Sequence, residues 1–334
     1  MESKLFVGTV LLIAGLEPTS AQSQVISKVS SQDVQFTNSG HFNPVWGDRG
    51  LYGVDLNPSD EPILWRVDRD GNREDLRFAF SGGRHITING VAEAPDGGIV
   101  VIGGALSGDG RGATFLSCIA ADHATKTITR LSPFVPWALT VAPDGVIWAV
   151  GFVRGSKIDT VEAFNVLERF DHNGKLLSTE ALQVKGVPWG GGGDATAWSV
   201  LRASKDRVGW LTTGNEYIEF SLDGREISRV NGPPGRNDHD EIWASFVLSS
   251  TNTVLIGIPS NNTATAELRL WSLDRRQRSW IAVPGENLSG RTYLFGADGD
   301  AILASGSLTT LSGGTPVQAI VRYVIAQPGA APGK

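Results

Sequence analysis

Pro95-Asp96-Gly97-Gly98-Ile99-Val100-Val101-Ile102-Gly103 decides the fold, because Pro143-Asp144-Gly145-Val146-Ile147-Trp148-Ala149-Val150-Gly151 repeats it 48 residues later. In each copy a turn tripeptide opens onto a short apolar run. Proline presets the first turn dihedral, aspartate accepts a local backbone hydrogen bond, and glycine takes the positive φ that closes a hairpin. Fainter copies lie on both sides. Asp48-Arg49-Gly50 stands before LYGVDL, Lys205-Asp206-Arg207 before VGWLTTG, Asn252-Thr253 before VLIGIP, and Asp298-Gly299 leads to AILASG.

A second hairpin series is interleaved with the first. WRVDRDGNRED turns at Gly71, LERFDHNGKLL at Gly174 and IEFSLDGREIS at Gly224, with degenerate copies in ADHATKTIT and SLDRRQRSW. Asp-Gly and Asn-Gly between alternating residues are strong hairpin signals. Two hairpins in each period of about 50 residues make a four-stranded blade, and six periods fill the chain. The sequence therefore predicts an all-β, six-bladed β-propeller. The post-turn strands are apolar on both faces, as expected between stacked sheets, and the strands of the second hairpin alternate, as expected of wetter outer strands. The last period offers only TYLFGA, AILASG and AIVRYVIA. Residues 25–36 (VISKVSSQDVQF) supply the missing outer strand, so that an N-terminal strand closes the ring and removes its exposed edges.

Residues 1–21 read as a signal peptide. Lys4 precedes the apolar run at residues 5–16 (LFVGTVLLIAGL), which is too short for a span of roughly 20 residues, and Pro18-Thr19-Ser20-Ala21 supplies small residues for cleavage. The expected product is periplasmic or secreted, with residues 22–334 forming one domain and no membrane insertion after cleavage. Cys118 is the single cysteine, so no internal disulfide forms, and its context FLSCIA suits a buried, inert thiol. The net charge of −6 comes with no basic cluster, which argues against nucleic acid as a partner.

In a propeller the innermost strand of each blade lines a central channel. Asn89 and Trp137 stand eight positions before the turn glycines Gly97 and Gly145, and Arg291 stands eight before Gly299. Alignment of the apolar strands adds Trp198 and Trp243, and the first blade contributes His41. These six residues are the candidate ligand-binding ring at one mouth of the channel. Indoles beside arginine, asparagine and histidine suit stacking on a sugar or aromatic ligand; the same indoles also suit wedging between blades. The loops before these strands carry Gly83-Arg84-His85, the glycine run 190–193 with Asp194, and Asn237-Asp238-His239-Asp240-Glu241. The last of these matches neither a calcium-loop pattern nor a zinc-ligand spacing. No nucleophile elbow is present.

Asn43-Pro44-Val45-Trp46 with Leu51-Tyr52-Gly53-Val54-Asp55, and Asn89-Gly90-Val91 running into Pro95-Asp96-Gly97, resemble the gluconolactonase and senescence-marker family of six-bladed, metal-dependent lactonases. The second stretch is also similar to the wider NHL-like propellers. The resemblance implies a metal held by a Glu before the first motif, an Asn entering the third blade and an Asp entering the fourth. Those positions fall here on Phe42, Trp137 and Trp198, which offer no oxygen ligands. Asn89 matches a substrate-side Asn of the family. The leading expectation is thus a non-catalytic module, without cofactor, that binds a small polar ligand or a protein partner at the mouth. The alternative is a hydrolase or lactonase using a divalent metal such as calcium, with His41, Asp194, Asp238, Asp240 and Glu241 as its ligand pool.

Overall fold

The computed structural model describes residues 25–36, 44–57, 61–76, 83–107, 110–122, 124–154, 166–184, 200–212, 216–233, 245–249, 254–259, 267–289, 294–298, 301–305, 309–310 and 316–326. Every regular element among them is a strand. After β1 (Val25–Phe36), four antiparallel sheets of four strands follow in chain order. The first holds β2 (Val45–Gly47), β3 (Gly50–Leu56), β4 (Pro62–Val67) and β5 (Arg73–Leu76). The second holds β6 (Gly83–Glu93), β7 (Ile99–Ser107), β8 (Gly112–Ile119) and β9 (Thr125–Arg130). β10 (Phe134–Val141), β11 (Ile147–Val153), β12 (Val166–Phe170) and β13 (Leu176–Ala181) form the third. β14 (Val200–Ala203), β15 (Arg207–Leu211), β16 (Glu216–Ser221) and β17 (Glu226–Asn231) form the fourth.

The remaining strands join one nine-stranded sheet. It contains β18 (Ser245–Leu248), β19 (Val254–Pro259), β20 (Glu267–Asp274), β21 (Ser279–Ser289), β22 (Leu294–Asp298), β23 (Ala301–Ser305), β24 (Thr309–Thr310) and β25 (Pro316–Ala326), together with β1. Its main order is β18-β19-β20-β21-β1-β25-β23-β22, with β24 beside β25. β1 runs antiparallel to β25 from Val25↔Ala326 to Phe36↔Gln318, and meets β21 in parallel at Ile26↔Gly285.

The turn residues act as their chemistry dictates. Gly71, Gly97, Gly145, Gly174 and Gly224 all have positive φ. Asp96 Oδ1 accepts the Gly98 N–H at 2.8 Å, and Asp144 Oδ1 accepts that of Val146 at 3.0 Å. Gly97 is needed for its φ of +78°, and a Cβ there would also displace the Arg49 guanidinium, which lies across it from the first sheet. Gly224 is covered in the same way by Arg169 of the third sheet, whose guanidinium also stacks 5.3 Å from the Trp148 ring centroid.

Successive sheets stack face to face, and each interface is a separate apolar cluster. Tyr52, Val54 and Leu64 meet Val91, Val101 and Phe115; Val100, Ile102 and Leu116 meet Leu139, Ile147 and Phe170; Trp148 and Leu167 meet Leu201, Trp210 and Phe220. Leu211 and Tyr217 then meet Phe246 and Leu248. The first strands β2, β6, β10 and β14 lie next to one another in turn. Four-stranded sheets stacked radially on their first strands are the blades of a β-propeller. Burying large apolar side chains between them contributes roughly 1.5–3 kcal/mol each.

One expectation needs correction. The second hairpin is not uniformly wet: β8, β12 and β16 are almost wholly buried, and only the fourth strands β5, β13 and β17 are largely open to solvent. Ion pairs make this possible. Glu219 on β16, with 1% of its side chain exposed, accepts from Arg207 Nη1 at 3.2 Å and Tyr217 Oη at 3.0 Å. Arg275, just after β20, brings its Nε to 3.2 Å from both carboxylate oxygens and so ties the fourth sheet to the strands that follow it. Beside it, Trp280 Nε1 donates to the Asn231 carbonyl at 2.6 Å. Glu93 closes the first interface in a similar way, accepting the Arg49 N–H at 3.0 Å.

Candidate functional site

Asn89 and Trp137 occupy corresponding places in adjacent first strands. In β6 the pairing steps from Ile88↔Gly103 to Gly90↔Ile102, leaving Asn89 as the extra residue of a bulge. In β10 it steps from Pro136↔Gly151 to Ala138↔Val150, leaving Trp137. Bulges re-aim a side chain out of the regular alternation. In the nine-stranded sheet, β22 also bulges, at Phe295. The repeat that aligned Asn89 with Trp137 by counting from the turn is thus matched by backbone register.

The two residues are also physically coupled. Asn89 Nδ2 donates to the Pro136 carbonyl at 3.1 Å, across the gap between the second and third sheets. This fixes the amide next to the indole. Both side chains are half-buried. Trp137 rests against Phe152 with ring centroids 5.4 Å apart, and borders the cluster between the third and fourth sheets. Part of the indole therefore wedges between sheets while part stays open. Its Nε1 is shielded from solvent and has no hydrogen-bond partner.

The rest of the expected ring, His41, Trp198, Trp243 and Arg291, lies outside the described residues, as does the metal-ligand pool of His41, Asp194, Asp238, Asp240 and Glu241. So do residues 1–21, Phe42 and the glycine run 190–193. Gly83-Arg84-His85, expected as a loop, is instead the start of β6, paired with the end of β7. His85 has a φ of +49° and is exposed at a second bulge of that strand. Positive φ is uncommon for a residue with a Cβ, though histidine is among the types enriched there. The Trp137 indole cannot serve a hard divalent ion. Among the described residues no three His, Cys, Asp or Glu side chains gather into a metal-binding group. Cys118 is buried on β8.

Two charged residues near the sheets' inner parts carried no signal in the sequence. Burial pushes the Glu168 carboxyl up to about 7, with only the Thr179 hydroxyl at 3.4 Å to oppose it. Glu168 lies on the third strand of its sheet, away from Asn89 and Trp137. Arg202 lies on β14, a first strand, and burial alone pushes its guanidinium down to about 10.

A small cleft of about 240 Å³ opens at the turn end of the second and third sheets, between Pro95-Asp96 and Pro143-Asp144, with His172 at its rim.

No family model matches the chain, and no curated protein matches it by sequence. Among solved structures it is similar to a protein of unknown function from Bacteroides caccae, at 10% identity and a TM-score of 0.42, over 87% of this chain and 80% of that one. It is also similar to the Dos1 propeller, at 13% identity and a TM-score of 0.44, over 84% of this chain and 66% of that one. Neither likeness carries a functional assignment.

Proposed function

We propose that this chain is an exported, non-catalytic β-propeller of six blades that binds a small polar ligand at the mouth of its central channel. The carrying observation is the coupled pair Asn89 and Trp137. Two neighbouring first strands bulge at the same register, and the amide of one is held beside the half-open indole of the other. An indole face for stacking and a fixed amide for direction are the elements of a small-ligand site.

Support for six blades comes from dividing the nine-stranded sheet at the parallel contact Ile26↔Gly285. That leaves β18 to β21 as a fifth blade, and β22, β23, β25 and β1 as a sixth. β14 touches β18, β18 touches β22, and β22 touches β2, which continues the order of the first strands back to its start. Gly296 on β22 packs against Trp46 on β2, and Ile320 joins the cluster of Leu51, Trp65 and Val67 in the first sheet. The antiparallel ladder of β1 with β25 supports closure by the N-terminal strand. Export rests on the apolar run and small-residue exit of residues 1–21.

The test is tryptophan fluorescence during titration with a glycan and metabolite panel, on the wild type and on W137F. A ligand should change the emission of the wild type and bind W137F at least tenfold more weakly. No response across the panel, or equal affinity in W137F, refutes the reading.

A further inference from the structure

Among the described residues Arg202 has no counter-charge. Its Nη1 donates to the Leu201 carbonyl at 3.0 Å, while its Nε is shielded from solvent and has no hydrogen-bond partner. No ion pair is made by this guanidinium with any described residue. The surrounding strands explain why. Gly209 stands opposite it on β15, which has no carboxylate, and Glu219, the next residue in that row on β16, is held by Arg207 and Arg275. The flanking first strands β10 (FVPWALTV) and β18 (SFVL) have none either. Two buried carboxylates, by contrast, are met: Glu219 by Arg207 and Arg275, and Glu93 by Arg49.

An arginine does not shed its proton at ordinary pH, so the charge persists. A desolvated charge without a partner is costly, and an anion that supplies the missing hydrogen bonds recovers that cost. With Nη1 fixed on the Leu201 carbonyl, the edge left over is the one bearing Nε and Nη2. Two parallel N–H donors on such an edge match the two oxygens of a carboxylate or phosphate. The residue as a whole is half-buried, and Nη2 is not among its shielded atoms, so an anion would approach from the Nη2 end.

We propose that Arg202 anchors an oxyanion site on the inner wall of the propeller, receiving the carboxylate or phosphate group of a small ligand. This rests on, and sharpens, the reading of the propeller's inner wall as a small-ligand site: the ligand is an anion.

Thermal unfolding of the purified protein tests this, with inorganic phosphate, acetate and benzoate each compared with chloride at equal ionic strength. At a hundredfold excess over the dissociation constant, at least one anion should raise the wild-type midpoint by about 5 °C or more. R202M should lose that rise, and R202K, which keeps the charge without the fork, should need at least tenfold more anion. Phosphate acting alone identifies a phosphate site, and benzoate or acetate acting alone a carboxylate site. No rise above chloride in the wild type overturns the proposal. So does an undiminished rise in R202M or, if R202M does not fold, in R202K. W137A separates the two readings: if it weakens benzoate but not phosphate, the anchor and the mouth both stand. If it changes neither while R202M abolishes both, the oxyanion site stands without the mouth.

Discussion

Replacing Glu219 by glutamine tests whether charge, and not only packing, holds the fourth sheet to the strands that follow. The substitution keeps the shape of a side chain that is 1% exposed, but leaves Arg207 and Arg275 facing a neutral amide. Removing one partner of a buried ion pair costs about 3–5 kcal/mol. Here the two arginine side chains are 20% and 32% exposed and regain some water, so a loss of about 2–3 kcal/mol is expected. At about 2–4 °C per kcal/mol the midpoint should fall by roughly 5–10 °C. Equilibrium urea unfolding gives the free energy, provided two probes report one coincident transition. The double variant E219Q/R275M should lose less than the sum of its parts, because both changes remove the same Glu219–Arg275 interaction. A loss below about 0.5 kcal/mol, within the range of ordinary surface substitutions, would show that the cluster contributes packing alone.

Three further outcomes follow from the same structure. Glu168, pushed from its usual 4.5 up to about 7 by burial, binds its proton more tightly folded than unfolded, so its contribution to stability is full below pH 4.5 and lost as pH rises to 7. E168Q should remove that decline and be more stable than the wild type at pH 8 by up to about 3 kcal/mol, as read from urea midpoints across pH. G97A should cost about 1–3 kcal/mol in thermal or urea unfolding, because it strains the turn and displaces Arg49. Under the non-catalytic reading, calcium, magnesium, manganese or zinc added after chelation should leave the melting midpoint unchanged. A metal-specific rise of several degrees would move the hydrolase alternative to first place.

The turns were legible in the sequence because Pro-Asp-Gly and Asn-Gly act locally: the residues that dictate the bend are those that make it. The equivalence of Asn89 and Trp137 was legible for the same reason, since both were counted from such turns. The buried third strands were not. Glu216 and Glu219 put a carboxylate on each face of β16, as on a wet strand, and the Arg275 that neutralises Glu219 lies 56 residues away. Arg202 was hidden more completely, because VLRA is too short to show a period and the meaning of its charge depends on what the neighbouring strands lack. Gly83-Arg84-His85 read as a loop because nothing in its composition reveals that β7 extends far enough to pair with it.

The arginines that lie across turn glycines also define how this chain can be recombined. Arg49 belongs to one sheet and the glycine it covers, Gly97, to the next; Arg169 and Gly224 repeat the arrangement further along. A whole sheet exchanged for that of another propeller would bring an arginine without its socket, or a socket without its arginine. Crossover points for chimaeras therefore belong inside sheets, so that each transplanted segment carries a complete arginine–glycine joint, and the natural unit of exchange is offset from the unit of architecture.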